Sequence, residues 1–308
     1  MNKLLHSTGL MLPLALAGLA VASPVSGAPA VATGDLHRDY DYLEAGRRSP
    51  YRLYVPTSYD PKRAYPLVVM LHGGGSDENE MFENTDIRAL AEARGVIVVA
   101  PLGYPSGGGY GNFFPIVTTA ASKQQVIAMT GNQVASAPKS VPQPAAQARS
   151  PSAAPEDYIE MPAGLLNDPK SAEMSEHDVL NVVKQVQGQY HVDAKRIYLT
   201  GNSMGGCGTQ YLAARYPELW AAVASAGCLV GSWAYPFRRL KDAHLAIMYV
   251  HGEFDHHSNP RWAKALSKTA ANNGVETEYL MVPGGTHGSA YSIAMPQILD
   301  FLLRHSKG

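Results

Sequence analysis

One stretch constrains this chain more than any other. Lys195-Arg-Ile-Tyr-Leu-Thr-Gly201-Asn202-Ser203-Met204-Gly205-Gly206 runs an apolar strand into a glycine-flanked serine and on into a helix. Ile197, Tyr198 and Leu199 suit a buried strand. Gly201 and Gly205 leave room for a turn so sharp that a β-carbon at either position would collide with neighbouring backbone. The turn pushes Ser203 out to where another molecule can reach it. A helix begins at about Cys207, so Ser203 and the Met204 N–H stand at its positive end, where negative charge is stabilised. A G-x-S-x-G run alone says little, but between a strand and a helix it is expected to be a nucleophile elbow.

The rest of the chain supplies neighbours for that strand. Tyr40-Asp-Tyr-Leu-Glu and Tyr51-Arg-Leu-Tyr-Val alternate with period two around Gly46-Arg-Arg-Ser-Pro, the pattern of an antiparallel hairpin. Tyr65-Pro-Leu-Val-Val-Met-Leu-His72 and Gly95-Val-Ile-Val-Val-Ala-Pro101 are continuous apolar runs, as expected of strands covered on both faces. A helical pattern over Ile87 to Arg94 joins them into a βαβ unit. Ser175 to Val186 reads as a helix with Ser175 and Asp178 as its capping box and Val179, Val182, Val183 and Val186 as its apolar stripe. Leu219 to Gly227, Leu245 to His251 and Thr277 to Pro283 give three more strands. Helices follow at about 260–273 and 291–304, the last with Ile293, Ile298, Leu299, Phe301 and Leu302 as apolar positions. The expected class is α/β: a mainly parallel, twisted sheet with helices on both faces and an antiparallel N-terminal hairpin.

Composition narrows the setting. Twenty-five basic residues against 26 acidic ones leave no electrostatic footprint for nucleic acid or an anionic membrane surface. Lys3, the apolar run from Leu10 to Ala22 and the small residues Ser26-Gly27-Ala28 have the profile of a secretory signal peptide over 1–28. The run is shorter than the roughly 20 residues a membrane span needs, so no membrane association is expected after cleavage, and the mature protein is expected to be secreted or periplasmic. The catalytic domain would then run over 36–308. It carries an insertion at about 135–155 that is mostly Ala, Ser, Pro and Gln, with too few large apolar residues to offset the entropy of ordering. Cys207 and Cys228 are the only two cysteines. Cys207 lies in the first turn after Ser203 and Cys228 at the top of the next strand, so in an oxidising compartment they are expected to pair.

A serine hydroxyl needs a general base within hydrogen-bond reach, and that base needs a carboxylate to hold its tautomer and stabilise the imidazolium. His287 sits in the glycine-rich loop Gly284-Gly285-Thr286-His287-Gly288, and Asp255 follows the strand that ends at His251. These are the expected base and acid, with Glu253 as the other carboxylate in reach. The Met204 N–H and one from Gly73 or Gly74, in the run His72-Gly-Gly-Gly75, would receive a developing oxyanion. His251, Asp255, His256 and His257 form the alternative of a metal site, but no helical H-x-x-x-H spacing or second ligand cluster supports it, and neither metal nor other cofactor is expected. Tyr104, Tyr110 and Phe113, in an aromatic and glycine-rich segment beyond a strand end, either face substrate or pack the loop. Trp233, with Tyr235 and Phe237, either lines a pocket or fills the core.

With these motifs in hand, the chain resembles the α/β-hydrolase superfamily. Within it, the resemblance is to secreted esterases related to polyhydroxybutyrate depolymerases and to prolyl-oligopeptidase-type hydrolases. It runs from about Tyr51 to Leu303 apart from the low-complexity insertion, and is most evident in Glu176-His-Asp-Val-Leu-Asn-Val and Arg196-Ile-Tyr-Leu-Thr-Gly201. It implies Ser203 as nucleophile, Asp255 as acid, His287 as base, Met204 and Gly74 as oxyanion donors, and a carboxylic ester as substrate. Secreted polyester depolymerases commonly add a linker and a surface-binding module, whereas this sequence ends at Gly308, so a small or oligomeric ester is expected over solid polymer. No β-propeller of the oligopeptidase kind is present, which favours ester over peptide hydrolysis. Dienelactone hydrolases share the fold but use a cysteine where this chain has Ser203. The rival readings are a serine peptidase, an acyltransferase using the same three residues, and a non-catalytic surface-binding module built on the aromatic loops.

Overall fold

Strands β1 (Gly34–Tyr42) and β2 (Arg47–Val55) form the antiparallel N-terminal hairpin, closed by a short 3-10 turn and by Gly46 in the left-handed region. The structure is a computed structural model that describes residues 31–111, 169–228 and 235–308. The expected signal peptide, the insertion at about 135–155, Phe113 and Trp233 lie outside the described residues. From Ala32 onward the described residues belong to one compact unit.

Six further strands complete an eight-stranded sheet: β3 (Tyr65–Leu71), β4 (Ile97–Pro101), β5 (Val192–Asn202), β6 (Ala222–Ala226), β7 (Ala246–Gly252) and β8 (Thr277–Val282). The spatial order is β1-β2-β4-β3-β5-β6-β7-β8. β2 meets β4 antiparallel, and every pairing from β4 onward is parallel. The continuous apolar runs of β3, β4, β6 and β7 are buried at every position, as strands with both faces covered must be.

Side chains alternate along each strand, so the sheet divides the core into two layers. Leu67, Val69 and Leu71 of β3 join one layer with Val179, Val182, Val183 and Val186 of α3 (Pro169–Gln189), Leu212 of α4 (Met204–Arg215), Phe237 and Leu240 of α5 (Phe237–Asp242) and Leu266 of α6 (Pro260–Asn272). Val68 and Met70 join the other, with Phe82 of α1 (Glu80–Glu83), Ile87 of α2 (Ile87–Arg94) and Ile298, Leu299, Phe301 and Leu302 of α7 (Ala290–Leu303). Tyr235 and Phe237 are wholly buried and belong to the first layer, so they fill core.

Two local expectations are corrected. Helix α3 starts at Pro169, not Ser175, which leaves Ser175 and Asp178 inside the helix rather than capping it. Both are wholly buried and face the segment after β4. Ser175 Oγ donates to the Gly103 carbonyl (2.8 Å) and accepts from the Tyr110 N–H (3.0 Å). Asp178 accepts from the N–H groups of Gly103 (2.7 Å) and Tyr104 (3.2 Å) and from the Tyr40 hydroxyl (2.6 Å). Ile293, read as an apolar core position of α7, is 53% exposed.

Candidate active site

Asn202 ends β5 and Met204 begins α4, which leaves one residue for the whole reversal. Ser203 is that residue, at φ 56° and ψ −117°, a conformation a non-glycine side chain adopts only when its surroundings enforce it. The enforcement is visible: the Ser203 N–H is held by the Ala226 carbonyl of β6 (2.9 Å), and the Cys207 N–H by the Ser203 carbonyl (3.0 Å). A β-carbon at Gly201 would lie 2.5 Å from the Gly205 carbonyl oxygen. One at Gly205 would overlap the Leu71 carbonyl of β3, and one at Gly206 the Ala226 carbonyl. The glycines therefore let helix α4 seat itself directly on the ends of β3 and β6.

Parallel strands end on the same edge of the sheet, so the loops after β5, β7 and β8 converge. His287 Nε2 is 2.9 Å from Ser203 Oγ, and His287 Nδ1 is 2.9 Å from Asp255 Oδ2. An ionised carboxylate only accepts, so Nδ1 carries the ring proton and Nε2 presents its lone pair to the serine hydroxyl. Asp255 is 6% exposed. Its Oδ1 accepts the N–H groups of His257 (2.9 Å) and Ser258 (3.0 Å), and its Oδ2 accepts the Ser258 hydroxyl (2.9 Å) as well as His287. Burial pushes this carboxyl upward, but the donors of His287 and Ser258 outweigh it and hold the group down at about 2. Glu253 is exposed and accepts the Gly284 N–H (2.9 Å), pinning the loop that carries His287 rather than touching its ring.

Of the two glycines expected to offer an N–H beside Ser203, Gly73 is already engaged: its N–H donates to Glu80 Oε2 (2.6 Å). Gly74 lies against the elbow, where an added β-carbon would come 3.9 Å from the Met204 Cβ. Met204 is the first residue of α4, and the first N–H groups of a helix have no acceptor within it. Of the two expected donor pairs, the Gly73–Glu80 hydrogen bond leaves Met204 with Gly74 as the candidate.

Tyr110 does not face this site as a substrate contact. It is wholly buried, its hydroxyl donates to the His72 carbonyl (3.3 Å), and its ring packs on the His72 imidazole and against Gly208. The half-buried Tyr104 ring is held edge-on to Tyr42 with the Arg47 guanidinium 4.8 Å above it, placing it on the N-terminal hairpin. Cys207 and Cys228 form a disulfide, with Cα atoms 5.2 Å apart.

The expected alternative of a metal set does not assemble. His251 Nε2 is hydrogen-bonded to Ser258 Oγ (2.7 Å) and His256 is exposed. Asp255, His257 and His287 bring ligand-capable atoms within 4.8 Å of one another. The His257 ring, however, stacks on His287 at 4.7 Å with 30° between the planes. Ring lone pairs lie in the ring plane, so two stacked imidazoles point side by side rather than at one ion, and both His287 nitrogens already have partners. The arrangement suits proton transfer.

Glu80 and Ser258 are the neighbours that reading the chain did not single out. The spacing Asp255-x-x-Ser258 was the available signal for one of them, because an aspartate at a turn commonly accepts N–H groups two and three residues on.

Residues 169–238 match the family described as Esterase PHB depolymerase, a stretch from α3 through the elbow into α5. Acetylxylan esterase A of Emericella nidulans is 43% identical over 56 residues, 18% of this chain and 18% of that protein. Acetylxylan esterase A of Aspergillus ficuum is 40% identical over 57 residues, 17% and 19% respectively. The chain thus aligns with about a fifth of the length of these curated relatives. Among solved structures, a thermostable esterase superposes with a TM-score of 0.54 at 23% identity, over 89% of this chain and 63% of that one. A ferulic acid esterase superposes with a TM-score of 0.56 at 14% identity, over 88% and 98%. With the strand order above, these likenesses show the fold to be that of the α/β-hydrolases.

Proposed function

We propose that the chain is an exported serine hydrolase that cleaves carboxylic esters through an acyl-enzyme. The observation that carries this reading is the unbroken line from Ser203 Oγ through His287 to Asp255, both links 2.9 Å, at the positive end of a helix. His287 Nε2 takes the Ser203 proton as Oγ attacks the ester carbonyl, and Asp255 stabilises the imidazolium that forms. The oxyanion of the tetrahedral intermediate points at the N–H groups of Met204 and Gly74; such donors are worth roughly 3 kcal/mol each. His287 returns the proton to the departing alcohol, and water then repeats the sequence on the acyl group.

Export is supported by the leader pattern at 1–28 and by the Cys207–Cys228 bridge, since disulfides persist in oxidising compartments. Among the described residues no helix is long and apolar enough to cross a membrane. The names of the relatives suggest where to begin with substrates: acetyl and feruloyl esters of sugars beside simple short-chain esters.

A fluorophosphonate probe should label the wild type and not Ser203→Ala, and ester turnover should vanish with the label. Labelling that survives Ser203→Ala would overturn the assignment. Ester and amide forms of one substrate, compared side by side, separate this reading from a peptidase.

A further inference from the structure

His251 is the last residue but one of β7, is buried with its ring inaccessible, and plays no part in the steps above. Its Nε2 lies 2.7 Å from Ser258 Oγ. That hydroxyl has three neighbours: His251 Nε2, Asp255 Oδ2 at 2.9 Å and the Gly227 carbonyl oxygen at 3.1 Å. A hydroxyl has one proton to give, and two of the three neighbours can only accept. If Ser258 gave its proton to His251, its bare oxygen would face a carboxylate and a carbonyl with nothing between them. The two shorter contacts are both satisfied when His251 carries its proton on Nε2 and donates it to Ser258, freeing Ser258 to donate to Asp255.

Resting on the hydrolase reading, we infer that His251 and Ser258 are positioning residues that extend the Ser203–His287–Asp255 line by two members. The order is His251 Nε2–H to Ser258 Oγ–H to Asp255 Oδ2, with His287 Nδ1–H arriving at the same oxygen from the other side. Asp255 stands on a loop, beyond the last residue of β7, and a side chain from within that strand adds a tie to its carboxylate through Ser258. Ser258 ties the carboxylate to the His251 ring. The groups facing His251 are Asp255, 3.6 Å from its Nε2, and the imidazole of His287 beyond it. A neutral His251 leaves the full negative charge of Asp255 to the imidazolium formed at His287 during the reaction.

The test combines kinetics with a measurement on the unaltered protein. Ser258→Ala and His251→Phe should each lower kcat by about ten- to a hundredfold, the worth of one hydrogen bond to a charged group, with KM unchanged. Ser258→Thr, which keeps the hydroxyl, should recover most of the loss. In wild-type protein with ¹⁵N-labelled histidine, His251 should be neutral with its proton on Nε2 at neutral pH. A wild type that reacts with phosphonate and ester, while Ser258→Ala keeps its kcat or His251 carries its proton on Nδ1, would overturn this role alone. A wild type inert to both reagents would overturn the hydrolase reading and this role with it.

Discussion

At the scale of single residues, the site depends on groups that burial treats in opposite ways. Asp255 would be raised by its burial, yet the donors around it bring it from the ordinary 3.8 to about 2. Its contribution to stability is therefore complete above the unfolded value of about 4 and disappears only as the pH falls through about 2. His251 moves the other way: burial, helped by the nearby His287, takes its imidazole from 6.5 to about 4 against the pull of Asp255. The unfolded chain binds that proton more readily than the folded one, so folding weakens as pH falls from about 6.5 to about 4. This one group contributes on the order of 3 kcal/mol to the change across that window. Urea titrations at pH 7, 5.5 and 4.5 should show a steep decline for wild type and a shallower one for His251→Phe. Equal slopes would mean that His251 titrates normally.

At the scale of elements, α3 does more than cover the sheet. Its buried Ser175 and Asp178 take the place of a regular partner for the segment after β4, meeting three N–H groups and one carbonyl there. Burial raises the Asp178 carboxyl above the usual carboxylate range despite these donors. The same segment holds Tyr110 under His72, the first residue of the glycine run beside Ser203. Asp178→Ala would leave two backbone N–H groups and the Tyr40 hydroxyl without their acceptor, at a cost of about 3 kcal/mol or more. A clear drop in Tm is expected, with faster hydrogen exchange at the Gly103 and Tyr104 amides. Unchanged exchange at those amides would show that the segment is held by other means.

At the scale of the whole molecule, the sheet gathers residues far apart in the chain and the disulfide locks the result. Ser203 and His287 are 84 positions apart and meet because parallel strands deliver their ends to one edge. The Cys207–Cys228 bridge joins the first turn of α4 to the residue after Gly227. Gly227 sits so close to the base that a β-carbon there would lie 3.2 Å from His287 Cε1. The bridge therefore ties the helix behind the nucleophile to the floor beneath the imidazole. With the cysteines 21 positions apart, opening the bridge by Cys207→Ser with Cys228→Ser should cost about 3 kcal/mol. Thermal unfolding should report the loss, and ester turnover should fall with it. A double variant as stable as the wild type would show that packing alone holds this corner.

Much of this protein was legible before any tertiary contact was known. Apolar periodicity marks the strands, because a strand covered on both sides cannot hide a polar run. Glycines at 201 and 205 mark the elbow, because no other residue clears the backbone there. The order of Ser203, Asp255 and His287, each beyond a strand, follows from the same periodicity. What chain order leaves open is which polar groups use up one another. Glu80 occupies the Gly73 N–H, Ser258 and His251 support Asp255, Ser175 and Asp178 serve a loop instead of a helix end, and Tyr110 turns inward. Each outcome depends on donors and acceptors brought together from distant segments, and hydrogen bonds of that kind have no period to betray them. Periodicity is a property of neighbouring residues along the chain, whereas pairing belongs to the folded space around each atom, and so only the tertiary structure could decide it.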